Sequence, residues 1–405
     1  MVLLLAGFAA TVPWENVLEL TGLGTLSRAA GIVAMLTGSW WILHTAKPLR
    51  RHHTIHVAMG LFVLWGSLSI TWSIAPSVTA TRFASNLQLL ALVWLIWGLV
   101  DSENMVRVVL QGYVLGCCAV VGNLLWQVLS SPAIFAERLT TENSNPNSIA
   151  FALVLSVPVA LYLVSSRFGG RWGTWANLLY LPLAAETIIL CGSRGATVAA
   201  IGTAFMFVAA FRALSRDKRI VVLAIALVVG ALVLRWAPHS IVQRLAGTAS
   251  ALAAGDVAGR QIAWRAGFRE FLTHPLLGVG AGAFRNSVSD DLFGRAWAPH
   301  NGYLSVCTEQ GLVGILFLLG LLTVLFAMAN RLPPLWRGLW LSILTVWCID
   351  SLVGTWEYRK ISWLLFGLLA AHSAVVNHRA RCESSLTAEK ADDNSSRPIP
   401  TAPPA

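Results

Sequence analysis

The feature that most constrains this chain is a succession of apolar runs, each long enough to cross a lipid bilayer. A spanning helix takes roughly 17–25 apolar residues. Runs of about that length fall at 1–20, 28–45, 56–73, 83–100, 108–129, 147–165, 175–193, 195–212, 220–236, 302–329, 336–353 and 360–377. The pattern predicts an all-α integral membrane protein with about twelve transmembrane helices. Composition leads to the same class: 56% of the 405 residues are hydrophobic and only 12% are charged, far more apolar surface than a soluble core of that size needs. The first run is the weakest, because Pro13, Glu15 and Glu19 interrupt it.

Charge then orients the spans. The connections 46–55, 101–107, 166–174, 212–219 and 330–337, with the segment from 378, carry sixteen Lys and Arg residues, whereas the opposite short connections carry six, Arg82 and Arg359 among them. By the positive-inside bias, the first set and both termini are expected to be cytoplasmic. The same bias accounts for the net charge of +10 without invoking nucleic acid. The six cysteines show neither zinc spacing nor a disulfide framework, and neither a metal nor a cofactor is expected. Met1-Val2-Leu3-Leu4-Leu5 lacks the basic region of a cleavable signal peptide and reads as the start of the first span.

Four segments follow: spans 1–9 over 1–236, a loop subdomain over 237–301, spans 10–12 over 302–377, and a polar, proline-containing tail over 378–405 expected to be disordered. The loop subdomain would lie outside the cytoplasm between spans 9 and 10. Apolar residues at helical spacing, Ile262, Trp264, Phe268 and Phe271, predict that it is helical and lies against the membrane.

The chemistry-bearing residues cluster on that outer side. Arg194, in Gly192-Ser193-Arg194-Gly195-Ala196, sits in a very tight turn between two apolar runs. It reads either as a snorkelling interfacial arginine or as an anion site, with Glu186 a candidate partner. Seven arginines and no lysine lie between 235 and 301, a choice of residue suited to bidentate phosphate recognition. Among them Arg265 and Arg269 share a helical face while Arg260 projects elsewhere; a helix resting on anionic lipid headgroups is the alternative reading. Gly278-Val279-Gly280-Ala281-Gly282 lacks the spacing of a nucleotide loop and predicts a tight turn packed on a helix. His300 is either a hydrogen-bonding residue at a helix start or a base, kept neutral by the surrounding positive charge. Asn301 could orient its ring or bind sugar hydroxyls. Arg82, after Ser73-Ile74-Ala75-Pro76-Ser77, and Asn147, in Thr141-Glu142-Asn143-Ser144-Asn145-Pro146-Asn147, are candidate lining residues of a glycan path, although turns explain both stretches equally well.

His300-Asn301, then nine residues, then Gly311-Leu312-Val313-Gly314 resembles the signature of the O-antigen ligase family. The stretch 259–284, with Pro275, Leu276, Gly278, Gly280, Gly282 and Phe284, is similar to another of its segments. The resemblance implies an enzyme of the bacterial inner membrane, with a periplasmic loop domain over a lipid-accessible cavity. Its implied reaction is inverting, metal-independent transfer of O-antigen polysaccharide from undecaprenyl pyrophosphate to lipid A-core, completing lipopolysaccharide. His300 would be the general base, and Arg194 with Arg265, rivalled by Arg260 and flanked by Arg269, would bind the pyrophosphate. An O-antigen polymerase or a protein O-oligosaccharyltransferase shares this chemistry with a different acceptor. A lipid-linked sugar transporter would use the same arginines to bind phosphate and His300 as a proton relay.

Overall fold

The computed structural model describes residues 1–15, 19–20, 24–45, 53–130, 139–141, 144–213, 260–289 and 297–395, with scattered positions between 216 and 250. In chain order its helices are α1 (Val2–Thr11), α2 (Leu26–His44), α3 (Thr54–Leu68), α4 (Pro76–Leu99), α5 (Glu103–Ser130), α6 (Pro146–Ser165), α7 (Gly170–Leu190), α8 (Arg194–Ala199), α9 (Ala204–Ala213), α10 (Gln261–Thr273), α11 (Phe284–Ser287), α12 (Gly302–Asn330), α13 (Pro334–Asp350) and α14 (Lys360–Ser395). A two-residue antiparallel pairing, Glu19–Leu20 with Gly24–Thr25, precedes α2.

Seven of these are long and apolar enough to cross a bilayer: α2, α3 with its 3₁₀ extension to Thr71, α4, α5, α6, α12 and the first 20 residues of α14. They coincide with seven of the expected runs. The expected spans 1–20, 175–193, 195–212 and 336–353 fall on helices that are shorter or less apolar, and 220–236 lies mostly outside the described residues. In the first run, the α-helix stops at Thr11 and Pro13 sits in a 3₁₀ turn, Val12–Trp14, as expected where proline removes a backbone donor. α1 is nevertheless tied in. A Cβ on Gly112 or Gly116 of α5 would fall 2.3 and 2.1 Å from the carbonyl oxygens of Ala6 and Ala10, so these small residues let two backbones touch. α14 runs to Ser395, past the span expected at 360–377, which falls on its first 20 residues. Its extension holds neither glycine nor proline before Pro398, so nothing in the backbone chemistry stops the helix there.

A broken helix positions the site. Gly311, inside α12, has φ 66° and ψ −165°, which frees the carbonyls of Thr308 and Glu309 from the helical ladder. The N–H groups of Val279 and Gly280 donate to them at 3.0 and 2.9 Å, and Leu312 N–H donates to Pro275 O at 2.7 Å. The Gly278–Gly282 turn therefore docks on the helix, as the sequence predicts. No side chain fits at the contact: a Cβ on Gly311 would fall 2.2 Å from Leu276 O, and one on Gly278 2.5 Å from Gln310 N.

Candidate functional site

The described residues enclose a cavity of about 650 Å³. It is lined by the start of α6 (Asn145, Asn147, Ser148), the α7–α8 turn (Ser193, Arg194, Gly195), Arg260 and Trp264 of α10, Arg285, the stretch Ala298–Asn301, the end of α13 (Asp350) and the following loop as far as Arg359. Each contributing segment is held by local chemistry. Asn145 caps α6, its side chain accepting from Asn147 N, with Pro146 at the first helical position, where a missing donor costs nothing. Gly192 takes φ 58°, Ser193 caps α8 through Ala196 N, and Arg194 follows directly at the cavity wall.

His300 is the most constrained member. It has φ 46°, a left-handed conformation that costs a non-glycine residue of order 1 kcal/mol and persists only where neighbours over-determine it. They do so here. Trp264 Nε1 donates to Pro299 O at 2.8 Å, and Asn301 Oδ1 caps α12 through Leu304 N at 3.0 Å. Gly302 N–H donates to Ser351 O at 2.7 Å, tying the start of α12 to the end of α13. Burial, the Arg260 guanidinium and then that of Arg285 push the His300 imidazole below its usual 6.5, so the ring is neutral and basic at physiological pH.

Arg260 stands at the N-cap position of α10 and donates from Nη1 to Val353 O at 2.7 Å, which fixes its head at the cavity wall. Asp350 is buried and accepts from Trp356 Nε1 at 2.7 Å; Trp356 in turn stacks on Phe151 at 3.9 Å. Among the described lining residues, four guanidiniums, from Arg194, Arg260, Arg285 and Arg359, share the wall with the carboxyl of Asp350 and the imidazole of His300. Such a chamber favours a polyanion, and leaves a proton acceptor beside it.

The structure brings together Arg194, Arg260, His300, Asn301 and Asn147 from the sequence-based candidates. It does not bring Arg265 and Arg269 there. Both lie on the exposed face of α10, because the helical phase that pairs them turns them away from Trp264 and Arg260. Arg82 also lies elsewhere, its guanidinium 4.2 Å over the Tyr358 ring. Ser73 belongs to the packing of the glycine turn: its Oγ bonds Thr79 Oγ1 at 2.7 Å and caps Ala75 N. Glu142 and Asn143 lie outside the described residues, and Glu186 does not line the cavity. Sequence reasoning missed Arg285, Arg359 and Asp350 as lining residues. The last carried a signal, a lone carboxylate at the end of an apolar run.

Residues 179–319 match the family model described as O-antigen ligase, and this match supports the O-antigen ligase family for the chain. The matched stretch contains Arg194, Arg260, Arg285, His300 and Asn301, while the α6 start and the loop 351–359 lie outside it. A search of curated proteins finds no match.

Proposed function

We propose that this chain is an O-antigen ligase, transferring a glycan from undecaprenyl pyrophosphate to lipid A-core at the periplasmic side of the inner membrane. The observation that carries the reading is a neutral, conformationally held His300 in a cavity lined by four arginines. His300 takes the proton of the acceptor hydroxyl as that oxygen attacks the anomeric carbon. The bond from that carbon to the pyrophosphate oxygen breaks, and the electron pair leaves on undecaprenyl pyrophosphate. Arg194 and Arg260 receive the charge that builds there, with Arg285 and Arg359 also in the lining; this is stabilisation of a developing anion by preorganised donors. One displacement inverts the anomeric centre.

Asn147 is assigned to the glycan side of the cavity. Asn301 acts through the backbone, since its Oδ1 is committed to capping α12. Arginines take the place of a divalent cation in this scheme, so activity is expected to survive chelation. Loss on chelation with rescue by magnesium would overturn that point.

The test uses purified protein in detergent with lipid-linked glycan and lipid A-core, the product followed by gel for wild type, His300→Ala, Arg194→Ala and Arg260→Ala. Glycosylated core from wild type alone, without added nucleotide, is expected. Lengthened carrier-linked glycan with untouched core would make the protein a polymerase. Translocation of the carrier without any new glycosidic bond would make it a transporter.

A further inference from the structure

Helix α10 carries an outer face that the cavity does not use. Its inner face, Ala263, Ala266 and Gly267, is buried. A Cβ on Gly267 would fall 2.5 Å from the Phe284 ring, and Thr308 Oγ1 of α12 donates to Gly267 O at 3.0 Å. Opposite, at helical spacing, lie Ile262, Arg265, Phe268, Arg269 and Leu272, all exposed. The three apolar ones expose 59%, 53% and 60% of their surface, and Leu276 and Leu277 continue the strip. A helix facing water carries polar residues of both signs on its outer face. This one carries large apolar side chains and two cations, with no carboxylate.

Position supplies the second argument. The chain after α10 is stitched to the bilayer-crossing α12 by Leu312 N–H donating to Pro275 O. Directly beyond that stitch Leu312, Leu316 and Leu319 of α12 are exposed, at the spacing of one helical face. The exposed leucines of a membrane span therefore begin at the point where the chain after α10 is attached to it.

We propose that α10 lies in the bilayer interface, with Ile262, Phe268 and Leu272 at the acyl boundary and Arg265 and Arg269 on the phosphates of anionic phospholipids in the surrounding leaflet. Apolar residues interleaved with arginine are what an interfacial helix requires. The guanidinium fork matches a phosphodiester, and neutral lipid offers no net charge for it to answer. The helix thereby fixes the height of the cavity above the membrane. This role is independent of the reaction carried out in the cavity.

The experiment measures hydrogen–deuterium exchange of the 261–273 backbone in the full chain, reconstituted in nanodiscs of phosphatidylcholine alone or mixed with phosphatidylglycerol. Exchange several-fold slower in the anionic discs is expected, and the difference should vanish in Arg265→Gln/Arg269→Gln. Equal exchange of the wild type in both discs would overturn the proposal without recourse to a variant. So would a difference that survives in the double variant, protection that follows protein concentration instead of lipid charge, or protection that appears only on adding the acceptor lipid.

Discussion

Two groups of arginines differ in the acids around them. In the cavity, four guanidiniums share the lining with Asp350, the one carboxyl among the described lining residues, around open space. Elsewhere, Arg82 lies over Tyr358 and faces two buried carboxylates, Glu309 and Glu357. There Glu309 accepts the Gly282 N–H at 2.7 Å. Burial, reinforced by the repulsion of Glu309, pushes the Glu357 carboxyl up to about 7. Arg82 thus has two acids facing it, whereas among the described lining residues of the cavity four guanidiniums face one acid around open volume. An arginine's role follows from the acids around it more than from its place in a loop.

Substitutions can break this contrast. The largest effect is expected from His300→Asn, which tolerates the left-handed backbone and removes the base: transfer should fall by about 10²–10⁴-fold while the melting temperature stays near that of the wild type. Arg194→Ala and Arg260→Ala should each cost roughly 10²–10³-fold in rate. Arg260→Lys should recover only part of that, because a lysine cannot offer the paired donors.

The opposite pattern is expected around Arg82. Glu309→Gln removes a charged acceptor from Gly282 N–H and should lower stability by about 2 kcal/mol, read as a fall in melting temperature, with the rate per folded molecule little changed. Full loss of transfer with unaltered melting would erase the distinction between the two sites.

The smallest effect concerns pH. Positive neighbours and burial disfavour the protonated imidazole, so the acid limb of the rate profile should lie below 6.5, with activity lost as pH falls through that lowered value. Arg285→Gln removes one of the two positive neighbours and should move the limb upward, toward 6.5. A shift downward would contradict the placement of Arg285 beside His300.

Much of this arrangement was legible in the sequence because it depends on local chemistry. Apolar length marked the spans, Gly192-Ser193-Arg194 marked a tight turn, and Gly278–Gly282 marked a turn that packs on a helix. Helical phase also separated Arg260 from Arg265 and Arg269. It could not reveal which side of α10 faces the cavity, since that is decided by Phe284, Leu304 and Thr308 packing on Ala263, Ala266 and Gly267. Asp350 and Arg359 join Arg194 only through the packing of α13 against α8, a long-range contact without a sequence period. The span expected at 360–377 was legible from its apolar length and coincides with the first 20 residues of α14.

The break at Gly311 also couples the parts of the site mechanically. Backbone bonds from Val279, Gly280 and Leu312, with the Thr308 hydroxyl on Gly267, staple α10 and its following turn to the helix that begins just after His300. A sliding or tilting of α12 would carry α10, and Arg260 at its head, in the same direction. His300 and Arg260 are therefore carried on one stapled unit, α10 with α12, whereas Arg194 stands on a separate element, α8.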